Sequence, residues 1–228
     1  MIDLTAVYAS PFFSITISIT AYVLGHLIYQ KVKSPVANPL LIAILLVIAV
    51  LKGLGIPFEV YRNGGDFISL FLAPATAALA LTIYSKITIL KKNIIPVIVG
   101  SAIGSVVSMV CVYLLCRLFN LDATLTASLL PKSVTTPIAM GISTSLGGIA
   151  PVTVAAVVMT GIMGSVFAPL MIKIFKVTNP VAVGLAIGAC SHAVGTSRAL
   201  QIGELEGAMS GVAIGVCGLM TVIFAMFI

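Results

Sequence analysis

Charged residues are scarce in this chain of 228 residues: they make up 8% of it, while hydrophobic residues make up 60%. Soluble domains carry about a quarter of their residues as charges, so a soluble globular domain is excluded. The mean hydropathy of +1.24 is typical of a polytopic helical membrane protein. At about 20 residues per span, the length allows roughly seven or eight membrane segments. We therefore predict an all-α polytopic membrane protein, folded as a single transmembrane domain over residues 1–228.

The residues that build metal sites and catalytic centres are also few. The chain has two histidines, six acidic residues and four cysteines, and no cysteine pair has C-x-x-C spacing. This argues against disulfides, a metal site and a cofactor. Ser191 and His192 are sequence neighbours, which does not make them a catalytic pair, so we expect no enzyme. The net charge of +6 is carried at segment ends, so nucleic acid is not expected as a partner.

Lysines mark the ends of the apolar runs. The first run, about Val7 to Tyr29, has no basic residue before it and is followed by Lys31 and Lys33. Because cytoplasmic loops are enriched in Lys and Arg, we expect an uncleaved first span with a periplasmic N-terminus. The third segment contains Pro74 and Thr76, which predict a kink; a pocket-lining role for both is the alternative.

The stretch from Leu121 to Gly148 departs from this pattern. It has the length and hydrophobicity of a span, but residues 131–137 read PKSVTTP. Two prolines interrupt a helix, and a lysine near the bilayer centre costs roughly 2.5–3.5 kcal/mol. Such a segment is tolerated only where protein buries it or water reaches it. With Thr136 as N-cap and Pro137 as the first helical residue, a new half-helix is predicted to begin inside the membrane.

A carboxylate is the ligand that this break favours, because the N–H groups and the positive dipole end of the half-helix face it. The candidate substrate-binding residues here are Lys132, Ser133, Thr135 and Thr136. The alternative is a kinked helix whose hydroxyls bond to its own carbonyls, with Lys132 reaching the membrane surface.

A second polar interruption lies between Ala186 and Gly207. Its candidate substrate-binding residues are Ser191, His192, Thr196, Ser197 and Arg198. A break is predicted at Gly195, because glycine permits unusual backbone conformations. Thr196 or Ser197 would then cap the following half-helix, and the guanidinium of Arg198 matches a carboxylate.

Two residues near this interruption are candidates for ion coupling, His192 and Glu204. The imidazole of His192 titrates near physiological pH, although a packing role is an equal alternative. For Arg198 the alternative is an ion pair with Glu204 or Glu206, and a solvated loop is the expected position of Glu206.

The two interruptions have the features of an inverted repeat. An offset of 54 residues aligns Gly141 with Gly195 and Gly161 with Gly215, giving units of about 121–175 and 178–228. The positive-inside rule favours a re-entrant hairpin over a full crossing for 121–148, and both readings stay open for 186–203. Inverted repeats with paired broken helices are a recurring plan of transporters.

Three segments together resemble the LrgB/CidB family over nearly the whole chain. They are FLAPATAALALTIYSK (71–86), LLPKSVTTPIAMGIS (129–143) and GACSHAVGTSRALQIGELEGAMSG (188–211). The resemblance implies a small protein of the bacterial inner (plasma) membrane with a smaller LrgA/CidA-type membrane protein as partner. It also implies two functions: holin-like or antiholin-like control of murein hydrolase activity and lysis, and transport of small monocarboxylates, as in the related plastid glycolate/glycerate transporters.

From the residues and the resemblance together, we expect a secondary transporter of small monocarboxylates such as glycolate, glycerate, pyruvate or 3-hydroxypropionate. Access to a midplane anion site would alternate between the two sides of the lipid bilayer. The alternative is a holin/antiholin-like membrane protein. The oligomeric state is left open, with a homo-oligomer as one alternative.

Overall fold

A computed structural model describes residues 4–32, 34, 37–71, 74, 77–78, 81, 84–85 and 87–228. Every regular element within these residues is an α-helix, which confirms the predicted all-α polytopic fold. The chain forms two compact units, residues 1–75 and 76–228. The single domain over 1–228 remains a prediction.

The first unit is organised around one long apolar helix. Its helices are α1 (Leu4–Ala9), α2 (Pro11–Val32), α3 (Pro39–Gly53) and α4 (Phe58–Ser69). Helix α2 is long enough to cross a membrane, while α3 is shorter. Asn38 begins α3, because its side-chain oxygen accepts the backbone N–H of Leu40 at 2.9 Å. Both α3 and α4 pack against α2.

Helix α4 is amphipathic. Its glycine Gly64 lies directly against the backbone of Pro11, where a larger residue would not fit. Elsewhere α4 exposes Phe58 and Phe67, together with an Arg62–Asp66 ion pair at 3.7 Å. Mixed aromatic and charged exposure of this kind is typical of a helix at a membrane surface.

The predicted kink in the third segment falls largely beyond the described residues. Pro74 is helical and exposed. Thr76 lies outside the described residues, so its pocket-lining role stays a prediction.

Within its described residues, the second unit contains three long continuous helices and two broken ones. Its helices are α5 (Ile87–Lys92), α6 (Ile94–Leu118), α7 (Ala123–Leu129), α8 (Thr136–Ser145), α9 (Ala150–Ile174), α10 (Pro180–Ile202) and α11 (Glu204–Ala225). By length and composition α6, α9, α10 and α11 are each long enough to cross a membrane. The apolar runs in the sequence, at about residues 94–118 and 151–175, agree with α6 and α9 to within one residue at each end.

Residues 123–145 fold back on themselves, and we call this segment hairpin 1. The backbone N–H of Ile149, just after α8, donates to Ser128 Oγ at 2.7 Å. In a straight helical crossing these two residues would lie about 30 Å apart. The chain therefore returns to the end from which it entered, as the re-entrant alternative requires.

Residues 180–202 also fold back, and we call them hairpin 2. Helical residues directly precede and follow the reversal, so residues 180–202 are described as one helix, α10. At the start of α11, Gly184 lies against the backbone of Glu206, while Leu200 lies against the neighbouring Gly207. A straight helix would separate Gly184 and Leu200 by about 24 Å. The reversal occurs at His192, whose φ of 42° and ψ of −142° are not helical. Helix α10 thus has two halves, 180–191 and 193–202.

Side-chain contacts give the directions of these helices. Val97 of α6, Leu185 of α10 and Met209 of α11 share one core cluster near the starts of their helices, so all three run the same way. Helix α9 runs oppositely, because Gly164 meets Ser191 whereas Ile172, later in α9, packs beside the cluster of Val183.

The two hairpins consequently enter from opposite ends of the second unit. Hairpin 1 follows the end of α6, and hairpin 2 follows the end of α9. The spans after them, α9 and α11, begin 54 residues apart, at Ala150 and Glu204. This offset equals that of the predicted repeat, and the opposite directions are those of an inverted one. The division into repeat units of about 121–175 and 178–228 stays a prediction.

Close packing of α10 on α11 depends on glycines. A Cβ on Gly188 would overlap the backbone carbonyl of Ser210. We therefore expect Gly188→Ala to lower the free energy of unfolding by about 1–3 kcal/mol, because two backbones must separate. Thermal unfolding of the detergent-solubilised protein, followed by circular dichroism, measures the effect.

The matched control is Gly141→Ala in α8, where a Cβ meets nothing within 4 Å. This control should be neutral or slightly stabilising, since alanine favours helix. Equal stability of both variants would contradict the close contact at Gly188.

Candidate functional site

The tip of hairpin 1 is the interruption predicted from its two prolines. Helix α7 ends at Leu129 and α8 begins at Thr136, with Pro131 and Val134 buried between them. The N-cap is Thr135, one residue before the predicted Thr136, which is already helical. Thr136 was wrong as the cap because its backbone has entered the helix, whereas Thr135 has the extended conformation that an N-cap needs.

Thr135 does not perform the usual task of a cap. Its hydroxyl accepts no bond from the α8 backbone and has no partner in the described structure, although the residue is only 7% exposed. The first N–H groups of a helix have no intrahelical partners, and Pro137 has no N–H to offer. The start of α8 therefore presents backbone donors and one buried hydroxyl without a protein partner.

A cation lies beside this helix start. The Lys132 ammonium is half-buried and donates to Ser133 Oγ at 3.4 Å, a long bond. Ser133 in turn shares a 2.6 Å hydrogen bond with Ser108 of α6. Lys132 is thus linked through Ser133 to α6, and its role in binding stays a prediction.

The tip of hairpin 2 differs from its prediction. The break is at His192, not at Gly195, which is helical and packs closely against Ser191. Gly195 was the wrong choice because its missing side chain serves packing, whereas His192 is held in a conformation that L-residues rarely adopt. Its imidazole Nε2 donates to the backbone carbonyl of Val157 at 2.9 Å.

Both tips converge on α9 at Val157. The Val157 side chain packs with Val134 from hairpin 1, and the Val157 carbonyl accepts a hydrogen bond from the His192 imidazole of hairpin 2. Gly161, one turn later, leaves room for the imidazole. Lys132 is close enough to His192 to interact with it electrostatically. We call the group Lys132, Ser133, Thr135, Ser108 and His192 the tip site.

The space between the tips is closed in this conformation. Ser105 and Met109 of α6, Ser133 and Val134 of hairpin 1, and Ala189 of hairpin 2 line a gap too narrow for a water molecule. Its lining contains both hydroxyls and apolar groups. Entry of any ligand at this point requires the tips to separate.

Thr196 borders the tip site through the His192 carbonyl, while Ser197 and Arg198 lie farther along hairpin 2. The predicted caps Thr196 and Ser197 do not cap: their hydroxyls donate to carbonyls one turn earlier, and Thr196 also bonds Ser210 at 2.7 Å. These caps were wrong because the break precedes them by a full turn. Arg198 donates to Gln201 on its own helix at 2.7 Å, about 9 Å beyond the tip.

The acidic pair begins α11. Glu204 and Glu206 lie in its first turn, where carboxylates offset the helix dipole. The Glu206 carboxylate folds back against Gly203, so this residue belongs to the helix start and not to the solvated loop predicted for it. Glu204 is exposed at the entrance of hairpin 2, well away from the tips.

Sequence reasoning missed the contribution of α6. Ser101, Ser105 and Ser108 repeat at helical spacing and face hairpin 1 and α11, where Ser105 donates to the Cys217 carbonyl at 3.3 Å. The periodicity was visible, but such serines also serve simple helix packing. Only the fold-back of residues 123–145 brings hydroxyls of α6 to the break.

These features define a class: a polytopic helical membrane protein in which two fold-back hairpins from opposite ends bring broken helices together. Within that class, the chain belongs to the LrgB-like family, whose model matches residues 18–228. The predicted family resemblance is confirmed.

Relatives with the printed name "Antiholin-like protein LrgB" share more than a third of its residues. The proteins from Bacillus subtilis (strain 168) and Bacillus mycoides (strain KBAB4) are each 38% identical over 215 residues, or 94% of this chain and 93% and 94% of theirs. A protein from Bacillus cereus (strain B4264) is 37% identical over the same length. No solved structure matched the chain.

The unpartnered hydroxyl of Thr135 generates a prediction. Thr135→Val keeps the shape and loses no hydrogen bond, so stability should change by less than about 1 kcal/mol or rise. If the hydroxyl faces a ligand, the affinity for that ligand, with glycolate as the probe, should fall at least roughly tenfold. Thermal unfolding and equilibrium binding measure the two effects separately; a large loss of stability would show that the hydroxyl has a structural partner.

The backbone of His192 generates another. His192→Ala and His192→Gly both remove the bond to Val157, but only glycine relieves the positive φ. We expect the glycine variant to be more stable by about 1 kcal/mol, the reverse of the order usual in a helix. Thermal unfolding measures the stability of the two variants. A more stable alanine variant, which is the usual order, would argue for a regular helix at this position.

Proposed function

We propose that this multi-pass membrane protein is a secondary transporter of small monocarboxylates that binds its substrate between the two hairpin tips. The observation that carries the proposal is the meeting of both tips on Val157. Paired broken helices that meet inside a membrane unit are a recurrent way to build a substrate site.

The chemistry of hairpin 1 favours an anion. The N-terminus of α8 carries a positive dipole end, and the Lys132 ammonium adds a full charge beside it. A carboxylate would accept from the first N–H groups and the Thr135 hydroxyl. The hydroxyl or keto oxygen of a glycolate- or pyruvate-like acid would bond to Ser133 or Ser108.

The closed gap supports alternating access. Because the hairpins enter from opposite ends, withdrawal of one tip opens a path to one side and withdrawal of the other opens the opposite path. We place the lysine-rich end of the second unit in the cytoplasm of a bacterial inner membrane by the positive-inside rule, with the N-terminus periplasmic. His192 is the better candidate for proton coupling than Glu204, since it contacts α9 at the tips.

A second candidate follows from the names of the relatives, which describe antiholin-like proteins. In this function the chain would modulate murein hydrolase activity and lysis together with an LrgA/CidA-type partner. The relatives' names support this candidate more directly than they support transport.

Lys132 provides the test. In proteoliposomes we expect saturable uptake of labelled glycolate or pyruvate, reduced at least roughly tenfold by Lys132→Met because one full charge is lost from the anion site. Lys52→Met, at the end of α3 in the first unit, is the matched control and should transport normally.

The same vesicles separate the two functions. Release of a trapped dye, without saturation by any acid and without effect of Lys132→Met, would favour the holin/antiholin-like function and overturn the carrier. Retained dye with saturable uptake would support the carrier.

A further inference from the structure

A long groove runs along the outside of the second unit, between α6 and the first half of α10. Its volume is about 590 Å³. Small residues form both walls, Gly100 and Gly104 on α6 facing Ala182 and Ala186 on α10. Apolar side chains complete it, and its polar residues lie at its two ends, with two asparagines at one and Cys190 at the other.

The mouth of the groove is marked by polar and basic residues. Asn93 and Asn179 line it from the two helix starts. Lys91 and Lys92 come immediately before Asn93, and Lys173 and Lys176 come shortly before Asn179. All four lysines are exposed, and no carboxylate of the described residues forms an ion pair with any of them.

The depth of the groove corresponds to one membrane leaflet. From residue 93 to residue 107, α6 rises about 21 Å, and from residue 179 to residue 190, α10 rises about 17 Å. Half of the hydrocarbon core is about 15 Å thick. An apolar chain starting at the mouth would therefore end near the centre of the bilayer.

We propose that this groove binds an anionic phospholipid, with one acyl chain between α6 and α10 and the phosphate between the two lysine pairs. The apolar walls favour hydrocarbon, because a small hydrated anion would lose its water without gaining polar partners there. The four unpaired lysines select a negatively charged headgroup over a zwitterionic one. The inference is independent of the proposed transport function.

The test uses the full chain in mild detergent, titrated with phosphatidylglycerol or with phosphatidylcholine of the same acyl chains and observed by native mass spectrometry. We expect phosphatidylglycerol to bind roughly tenfold more tightly or better. Exchange of the four lysines for glutamine (K91Q, K92Q, K173Q, K176Q) should abolish that preference. The control K31Q/K52Q, in the first unit, should retain it.

A second variant tests the groove itself. Gly100→Leu should weaken the binding of both lipids at least fivefold, because a Cβ there meets only the Leu185 side chain, at 3.9 Å, and the added side chain fills the groove. Gly65→Leu, at an open glycine of α4, is the matched control. Ala186→Leu fills the opposite wall and serves if Gly100→Leu fails to fold.

The opposing outcomes are distinct. Equal affinity for both lipids, or a preference that survives loss of the four lysines, would overturn the headgroup assignment. Unchanged binding to the plugged variants, or displacement of phosphatidylglycerol by glycerol phosphate at equal concentration, would overturn the groove assignment. If the unchanged chain is a dimer in the same detergent and Gly100→Leu is a monomer, the groove would be assigned to a second copy of the chain instead.

Discussion

The second unit depends on one constraint: backbone groups inside a membrane need partners, so a helix can be broken there only where protein supplies them. The chain breaks two helices and brings both breaks to α9. Hairpin 1 closes its tip with short turns and packs Val134 on Val157. Hairpin 2 fixes its tip through the imidazole of His192 on the carbonyl of the same residue. Each tip is thus fixed by a contact with α9, and both contacts are made with Val157.

The two breaks were not equally predictable. Pro131 and Pro137 determine the first by removing donors and fixing φ, which can be read from sequence with only the cap misplaced by one residue. The second rests on a histidine with positive φ, which local sequence does not encode. Tertiary contacts stabilise this conformation of His192: Gly161 leaves room for the imidazole, and the Val157 carbonyl accepts a hydrogen bond from it. Gly195 is helical, and its missing side chain leaves room for close packing against Ser191.

The composition of the candidate site was likewise predictable only in part. Lys132, Ser133 and Thr135 lie together because they are sequence neighbours at one break. Arg198 and Thr196 were grouped with them on the assumption that a break lay at Gly195. With the reversal at His192, Thr196 bonds the His192 carbonyl and Ser210 of α11, and Arg198 bonds Gln201 farther along the hairpin. Ser108 joins the site through the fold-back of a different segment, which no local pattern of α6 announces.

The energetic cost of the tips bears on the choice between the two functions. A lysine at this depth costs roughly 2.5–3.5 kcal/mol, and a buried hydroxyl without a partner adds roughly 1–3 kcal/mol. A protein that acts only through oligomerising apolar helices needs neither Lys132 nor the free hydroxyl of Thr135. Both groups lie at a helix start whose N–H groups favour the same kind of ligand, a negatively charged oxygen. A ligand of this kind would offset their cost, and this coincidence of three anion-seeking groups at one break supports a binding role for the tips.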